Sequence, residues 1–255
     1  MAAGPQSPAL AVEGLGLAIG GASILAEVGF AVAKGEMLGV IGPNGAGKTT
    51  LFNVLSGLAR PTAGRVLLDG RDVTGLPVHR RAKAGLGRTF QTSSLFGALS
   101  VLENVRLAAQ ARLGGSLSVL AFPRTHDAAT RRARERLAEV GLADKEGLRA
   151  QDLSHGDKRK VEIAMMLATD PSVVLLDEPM AGVGSGDVGA LTEVIRDLHR
   201  DRGTTVLMVE HHMDVVLGLV DRVAVMHHGR LLAIGTPDAV MADDTVQAAY
   251  LGEPV

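Results

Sequence analysis

Cysteine is absent from all 255 residues, which removes disulfides, thiolate zinc sites and cysteine nucleophiles and suits a reducing compartment. No run of about eighteen apolar residues occurs, so the sequence holds no helix that spans a bilayer. Met1 to Leu10 lack the charged-then-apolar order of a signal peptide, and a cytoplasmic setting is the expectation. Excess charge is missing too: 26 Lys and Arg against 28 Asp and Glu leave a formal net charge of -2, with no overall basic field for nucleic acid or an anionic membrane. There is no N-K-x-D guanine-reading motif, no internal repeat and no low-complexity tract. What is present is 46% hydrophobic, enough to bury the core of one α/β domain, or of one domain with a small subdomain.

The densest chemistry lies in Gly42-Pro43-Asn44-Gly45-Ala46-Gly47-Lys48-Thr49-Thr50, which completes G-x-x-x-x-G-K-[ST] directly after the apolar run Met37 to Ile41. Glycines at 42, 45 and 47 let the backbone aim several N–H groups at one point, and the following helix adds the positive end of its dipole. Lys48 would reach the β- and γ-phosphates of a nucleotide as a point charge, and the Thr49 hydroxyl would ligate Mg²⁺. A chance match in this composition is on the order of one in a hundred, and the strand-before, helix-after context lowers it further.

Taken in order, residues 1–8 are small and proline-bearing and are expected to be disordered. Leu15, Leu17 and Ile19 alternate, Gly20-Gly21 marks a turn, and Val28, Phe30 and Val32 alternate again, which predicts an antiparallel β layer. Met37 to Ile41 reads as a buried strand, followed by a helix to about Ser56 with Gly57 as its stop. A turn over Pro61 to Gly64, a strand over Arg65 to Leu68, a hairpin turn at Asp69-Gly70 and a helix from Pro77 to Ala84 follow. Ser100 and Glu103 form a capping box for a helix to about Arg112, and a second helix spans Thr125 to Val140, with Gly114-Gly115 and Pro123 as the joint between them. No strand signal appears between Leu95 and Gln151, so a helical subdomain inserted at 92–152 is expected. Its Arg131, Arg132, Arg134 and Arg136 read as a solvated helix face in preference to a docking face. A helix opening at Leu153-Ser-His-Gly-Asp157 sets Val161, Ala164, Met165 and Ala168 on one side and ends at Asp170-Pro171. Strands at Val173 to Glu178, Thr204 to Val209 and Arg222 to Met226 alternate with helices, which predicts a mainly parallel sheet with right-handed crossovers. Thr236-Pro-Asp238 caps a closing helix.

Asp177 and Glu178 finish a buried strand. Strands often end in an acid on leaving the core, but beside a phosphate loop two adjacent acids fit phosphoryl transfer to water, Asp177 addressing Mg²⁺ and Glu178 polarising the water. Ligands of open α/β sheets bind beyond the carboxyl ends of the strands, so both acids fall on the edge that carries Lys48. His211 follows Thr204 to Val209 at the same edge, where an imidazole can reach a γ-phosphate oxygen or the water. Gln91, at a strand exit, gains meaning only within this set.

These motifs, in this order, resemble the nucleotide-binding subunits of ABC transporters from about Ala9 to Glu253: the phosphate loop, Arg88-Thr-Phe-Gln91, the signature-like Leu153-Ser-His-Gly-Asp157, Val173 to Glu178 and Val209-Glu-His211. The resemblance implies a single ABC-type domain over 9–252 with a P-loop NTPase (RecA-like) core, an antiparallel β subdomain and the helical insert. It adds Gln91 to the catalytic and metal-shell residues beside Glu178, His211, Thr49 and Asp177. It also implies an ATP sandwich, in which Ser154 and Gly156 of one subunit contact the γ-phosphate held by a second nucleotide-binding subunit; a Ser-x-Gly turn at a helix N-terminus is itself an anion cradle. The implied partners are transmembrane permease subunits and, indirectly, an extracytoplasmic solute-binding protein, with no nucleic acid, at the cytoplasmic face of the cell membrane.

Four positions depart from the family pattern. His155 replaces a glycine and Asp157 a glutamine in the signature, with Lys158, Arg159 and Lys160 near enough in sequence to offset the added charge. Ile19 stands where an aromatic commonly stacks on adenine, which loosens the expected base selectivity. Ala181-Gly-Val-Gly184 lacks the aspartate that usually follows the catalytic strand. Within the family, Gly87 to Gln91 with Leu95-Phe96, the helical insert and the Tyr250-Leu-Gly252 ending look most like subunits that energise uptake of branched-chain amino acids; relatives serving urea or short amides look nearly the same. A soluble ATP-dependent switch is the alternative from another class, and a P-loop kinase would leave Ser154 unexplained.

Overall fold

Two alternating apolar stretches around a Gly-Gly turn make the first hairpin: β1 (Leu10–Ile19) pairs antiparallel with β2 (Ala22–Val32). In the computed structural model the described residues are 7–89, 95–113, 127–200 and 202–251. Of the residues 1–8 expected to be disordered, 7 and 8 are among them and 1–6 lie outside, as do the joint at Gly114-Gly115 and Pro123, and Gln91. Beyond the hairpin come β3 (Met37–Ile41), α1 (Lys48–Ser56), β4 (Ala63–Leu68), β5 (Arg71–Asp72), α2 (Val78–Lys83), β6 (Leu86–Arg88), α3 (Val101–Leu113) and α4 (Ala128–Glu139). Then follow α5 (His155–Leu167), β7 (Val173–Asp177), α6 (Ser185–Arg200), β8 (Thr205–Val209), α7 (Met213–Leu219), β9 (Arg222–His227), β10 (Arg230–Gly235), α8 (Pro237–Met241) and α9 (Asp244–Leu251).

The chain forms two compact units. The first takes in the described residues of Met1–Leu86, Ser172–Glu178 and Leu198–Val255. It carries an antiparallel sheet ordered β2-β1-β4-β5 and a larger sheet ordered β10-β9-β3-β8-β7-β6. Every residue of β3, β7 and β8 is buried, as continuous Val, Ile and Leu runs require when a parallel sheet is covered on both faces. β3 runs parallel to β8 and β9, and β7 parallel to β8, as the alternation of helix and strand predicts. The antiparallel edge strand β10, which pairs with β9, lies outside the sequence expectation: its apolar run Leu231 to Ile234 is short, only half-buried and without alternation, so periodicity alone does not mark it as a strand. Leu51, Phe52, Val54 and Leu55 of α1 join Leu38, Val40, Val173, Leu175 and Leu207 in one core.

The second unit takes in the described residues of Gly87–Pro171 and Pro179–Asp197. Here α3, α4 and α5 pack on one another. The expected capping box is half made. Ser100 Oγ accepts the Glu103 N–H at 3.1 Å, while the Glu103 carboxylate forks onto Arg106 instead. α4 is capped by Asp127, whose carboxylate accepts the Thr130 N–H. The arginine cluster on α4 is not simply a solvated face: Arg132 and Arg136 are largely covered and approach Asp170, and Arg134 pairs with Glu146 at 2.9 Å. Helix α5 buries Ile163, Met166 and Leu167 besides Val161, Ala164 and Ala168, while Met165 stays half-exposed. Its apolar face is wider than a single stripe because two helices cover it.

One buried charge has no counterpart in the sequence reading. Arg81 of α2 is 1% exposed. Its guanidinium donates to the carbonyls of Val54 and Leu55 (both 2.6 Å), Thr74 (2.7 Å) and Leu76 (3.0 Å). It therefore closes the C-terminal end of α1, the helix that begins at the phosphate loop, where last-turn carbonyls lack helical partners and a cation meets the negative end of the dipole. Gly57, in the left-handed region at φ 84° as the C-cap, leaves room for it: a β-carbon there would lie 2.9 Å from Arg81 Nε. Arg81→Ala strands these carbonyls, and it is expected to lower the unfolding free energy by about 2–4 kcal/mol in urea titrations. Lysine at this position restores the charge but reaches fewer of the four acceptors, and recovers less than half of the loss.

Candidate nucleotide site

The loop between β3 and α1 follows the sequence reading closely. Gly47 is the N-cap of α1 at φ 99°, and Leu51 N–H returns to the Gly47 carbonyl at 2.8 Å. Gly42 has to be glycine: at φ 146° a β-carbon would stand 2.1 Å from the Met226 carbonyl oxygen. The loop is thus pressed against the end of β9, and Gly229 N–H fastens it by donating to the Ala46 carbonyl at 3.0 Å. Ala46 is buried, Pro43 and Gly47 are half-buried, and Asn44, Gly45 and Thr49 are exposed, with Thr50 intermediate. Lys48 is 6% exposed, and its Nζ donates to the carbonyls of Gly42 at 2.6 Å and Pro43 at 3.0 Å. Burial lowers its pKa, and the negative charge of Glu178 acts in the opposite direction.

At the carboxyl ends of the neighbouring strands, Asp177 lies across from Val209 in the parallel register, and Glu178 N–H donates to the Val209 carbonyl at 2.9 Å. Glu178 is held at φ 49°, a left-handed conformation that a residue with a side chain enters at a cost. Its Oε1 lies 3.0 Å from His211 Nε2, so the structure brings together the acid and the imidazole that the sequence reading had joined only by their common strand edge. Asp177 is 1% exposed. Among the described residues no group of three or more His, Asp or Glu could hold a metal alone. A hydroxyl at 49 and a carboxylate at 177 suit Mg²⁺, which keeps several waters and takes substrate phosphate oxygens as ligands.

Glu210 escaped the sequence reading. It is 3% exposed, and its Oε2 accepts the N–H groups of His211 (2.8 Å) and His212 (3.4 Å) and lies 3.1 Å from His212 Nδ1. A buried carboxylate therefore knots the turn that presents His211. The available signal was an acid placed directly after five buried strand residues and before two histidines.

In the second unit Ser154 caps α5, its Oγ accepting the Asp157 N–H at 3.1 Å. Gly156 lies under Asp187: a β-carbon at 156 would come within 2.7 Å of Asp187 Oδ2. The added charge of Asp157 is met by Lys145, whose Nζ donates to Asp157 Oδ2 at 2.6 Å, a bond that raises the lysine pKa. Arg159, named with Lys158 and Lys160 for that offset, pairs with Glu162 at 2.8 Å. Ile19 ends β1 at the hairpin turn and is 62% exposed, an apolar platform open to solvent.

The sequence profile described as ABC transporter matches residues 25–181, and the profile described as Branched-chain amino acid ATP-binding cassette transporter matches residues 230–255. The chain is 39% identical over 253 residues to the High-affinity branched-chain amino acid transport ATP-binding protein LivG of Salmonella typhimurium, covering 97% of this chain and 99% of that protein. It is 38% identical over 252 residues to the corresponding protein BraF of Pseudomonas aeruginosa, covering 96% and 98%. A solved nucleotide-free ATP-binding cassette from an ABC transporter superposes with a TM-score of 0.85 at 30% identity, over 96% of this chain and 100% of that one. No described helix is long and apolar enough to cross a membrane.

Glu210→Ala removes the carboxylate that fixes the His211 turn while leaving the phosphate loop intact. Steady-state assays are expected to show ATP turnover about tenfold to a hundredfold slower, with ATP affinity held within about twofold. Unchanged turnover would show that the knot at 210 has no part in presenting His211.

Proposed function

The chain belongs to the ABC transporter family, and we propose that it is the ATP-hydrolysing subunit of a membrane importer for branched-chain amino acids. The observation that carries the hydrolytic part is the 3.0 Å contact between Glu178 and His211 at the strand edge beside Lys48. In this reading one ABC-type domain spans 9–252 with a helical subdomain inserted at 92–152. Lys48 and the backbone of residues 42–50 hold the β- and γ-phosphates, Ile19 supports the base, and Thr49, Asp177 and Gln91 hold Mg²⁺. When bound, that ion neutralises charge on the phosphates. Glu178 takes a proton from the attacking water, and His211 holds the Glu178 carboxylate in place while facing the γ-phosphate.

The substrate assignment rests on the match of residues 230–255 and on the names of the relatives. Permease subunits, a binding protein outside the membrane and a site at the cytoplasmic membrane face follow from the same reading. Co-expression with candidate permeases tests it: polytopic subunits should copurify in mild detergent, and vesicles made with them should take up leucine only with ATP. Loss of leucine uptake with retained urea uptake would move the chain to the amide branch.

Ser154 and Gly156 of a second copy complete the site, because Ser154 Oγ accepts from its own helix and keeps its proton to donate. Glu178→Gln is expected to keep ATP affinity but slow hydrolysis by roughly a hundredfold or more. Sedimentation of that variant should show a dimer with ATP and a monomer with ADP, since a ligand shifts assembly only by its differential affinity for the two states. The same mass with both nucleotides, or an ATP-dependent dimer that survives Ser154→Arg, would overturn the shared site.

A further inference from the structure

The first turn of α5, where the γ-phosphate held by a second copy would arrive, already has an anion laid across it. Ser154 Oγ accepts the Asp157 N–H at 3.1 Å, which leaves the N–H groups of His155 and Gly156 without helical partners, as at any helix start. Gly156 is buried although Ser154 and His155 before it are exposed. Over it lies Asp187, in the first turn of α6. A β-carbon at 156 would come 2.7 Å from both Cβ and Oδ2 of Asp187 and 2.9 Å from its Cγ, so the whole carboxymethyl group rests on the glycine.

Two acids flank this turn, and one of them is answered. Asp157 Oδ2 accepts from Lys145 Nζ at 2.6 Å. Among the described residues the Asp187 side chain makes no hydrogen bond or ion pair of its own, and Lys145 is held by Asp157. A carboxylate beside a helix N-terminus is favoured by the dipole and by the unpaired N–H groups, and these are the groups that a phosphate would use. Asp187 therefore stands, in the isolated chain, on the approach of a more highly charged anion. It is free to yield. The residue is exposed, and at Gly182, Gly184 and Gly186 just before it a β-carbon would meet nothing within 4 Å. We propose that Asp187 is an autoinhibitory guard on the shared site: its carboxylate covers the approach to Gly156 and sets, by repelling the incoming triphosphate, the ATP concentration at which two copies close. The inference rests on the shared-site reading of Ser154 and Gly156. It goes further in naming the group that opposes closure.

The test is run in the Glu178→Gln protein, with sedimentation followed along an ATP titration. Adding Asp187→Asn, which removes the charge and keeps the shape, should move the midpoint of dimer formation to an ATP concentration about three- to tenfold lower at low salt. Asp187→Glu keeps the charge and should leave the midpoint within about twofold of the Asp187 protein. Raising the ionic strength to about 0.5 M should shrink the effect of Asp187→Asn to less than about twofold, because exposed charges are screened. A side chain that merely packs on Gly156 would show no such salt dependence. An unchanged or raised midpoint with Asp187→Asn, a glutamate variant that behaves like the asparagine one, or a shift that high salt leaves intact overturns the proposal. Ser154→Arg is run beside these and is expected to abolish the ATP-dependent dimer. If Ser154→Arg still dimerises with ATP the shared-site reading itself fails, whereas loss of its dimer together with a silent Asp187→Asn condemns only the role of Asp187.

Discussion

One hydrogen bond past the end of a β-ladder sets the register of the chemistry. Glu178 N–H donates to the Val209 carbonyl at 2.9 Å, extending the pairing of β7 and β8 by a residue that is no longer in strand conformation. Were the strands to slip by one residue, the side chains would change faces. The acid at 178 and the imidazole at 211 would then face opposite sides. Because β3 runs parallel to β8 on its other side, the same register places the phosphate loop at the common edge. The buried Val, Leu and Ile of these strands are therefore the alignment device of the site as well as its core.

At this edge and at the far end of α1, buried charged groups bond to backbone. Arg81 answers carbonyls of α1 and of the segment that follows β5, Glu210 answers amides of the 211–212 turn, and Lys48 lies on carbonyls of its own loop. Buried charges are costly unless hydrogen bonds satisfy them, and each of these is satisfied by groups that secondary structure leaves over. The result is a phosphate helix restrained at both ends: at its start by the Gly42 and Gly229 contacts, at its finish by a guanidinium.

Much of this was legible in the sequence where the signal is local. The loop, the strand before it, the helix after it and Gly57 as its stop follow from glycine placement and an unbroken apolar run, and the two acids at 177 and 178 follow from the same strand grammar. The contact of Glu178 with His211 was legible as a shared edge, though not as a bond. What escaped depends on partners far along the chain. Nothing beside Arg81 in sequence announces carbonyls at 54 and 55, and nothing beside Asp157 announces Lys145. The pairing of Arg132 with Asp170 likewise joins residues that periodicity treats as unrelated. The β10 edge strand was missed because a four-residue apolar run without alternation does not by itself distinguish a strand from other buried segments.

The left-handed backbone of Glu178 has a consequence of its own. A residue with a side chain stores about 1–3 kcal/mol in such a conformation, and glycine there would release it. On the proposed role of Glu178 as the base, folding stability and hydrolytic competence are opposed at this single position. A directed-evolution campaign that ranks clones by melting temperature would enrich glycine at 178 and deliver well-folded proteins without their carboxylate. Selection for thermal robustness alone runs downhill from the working enzyme, and the glutamate persists only where turnover itself is scored.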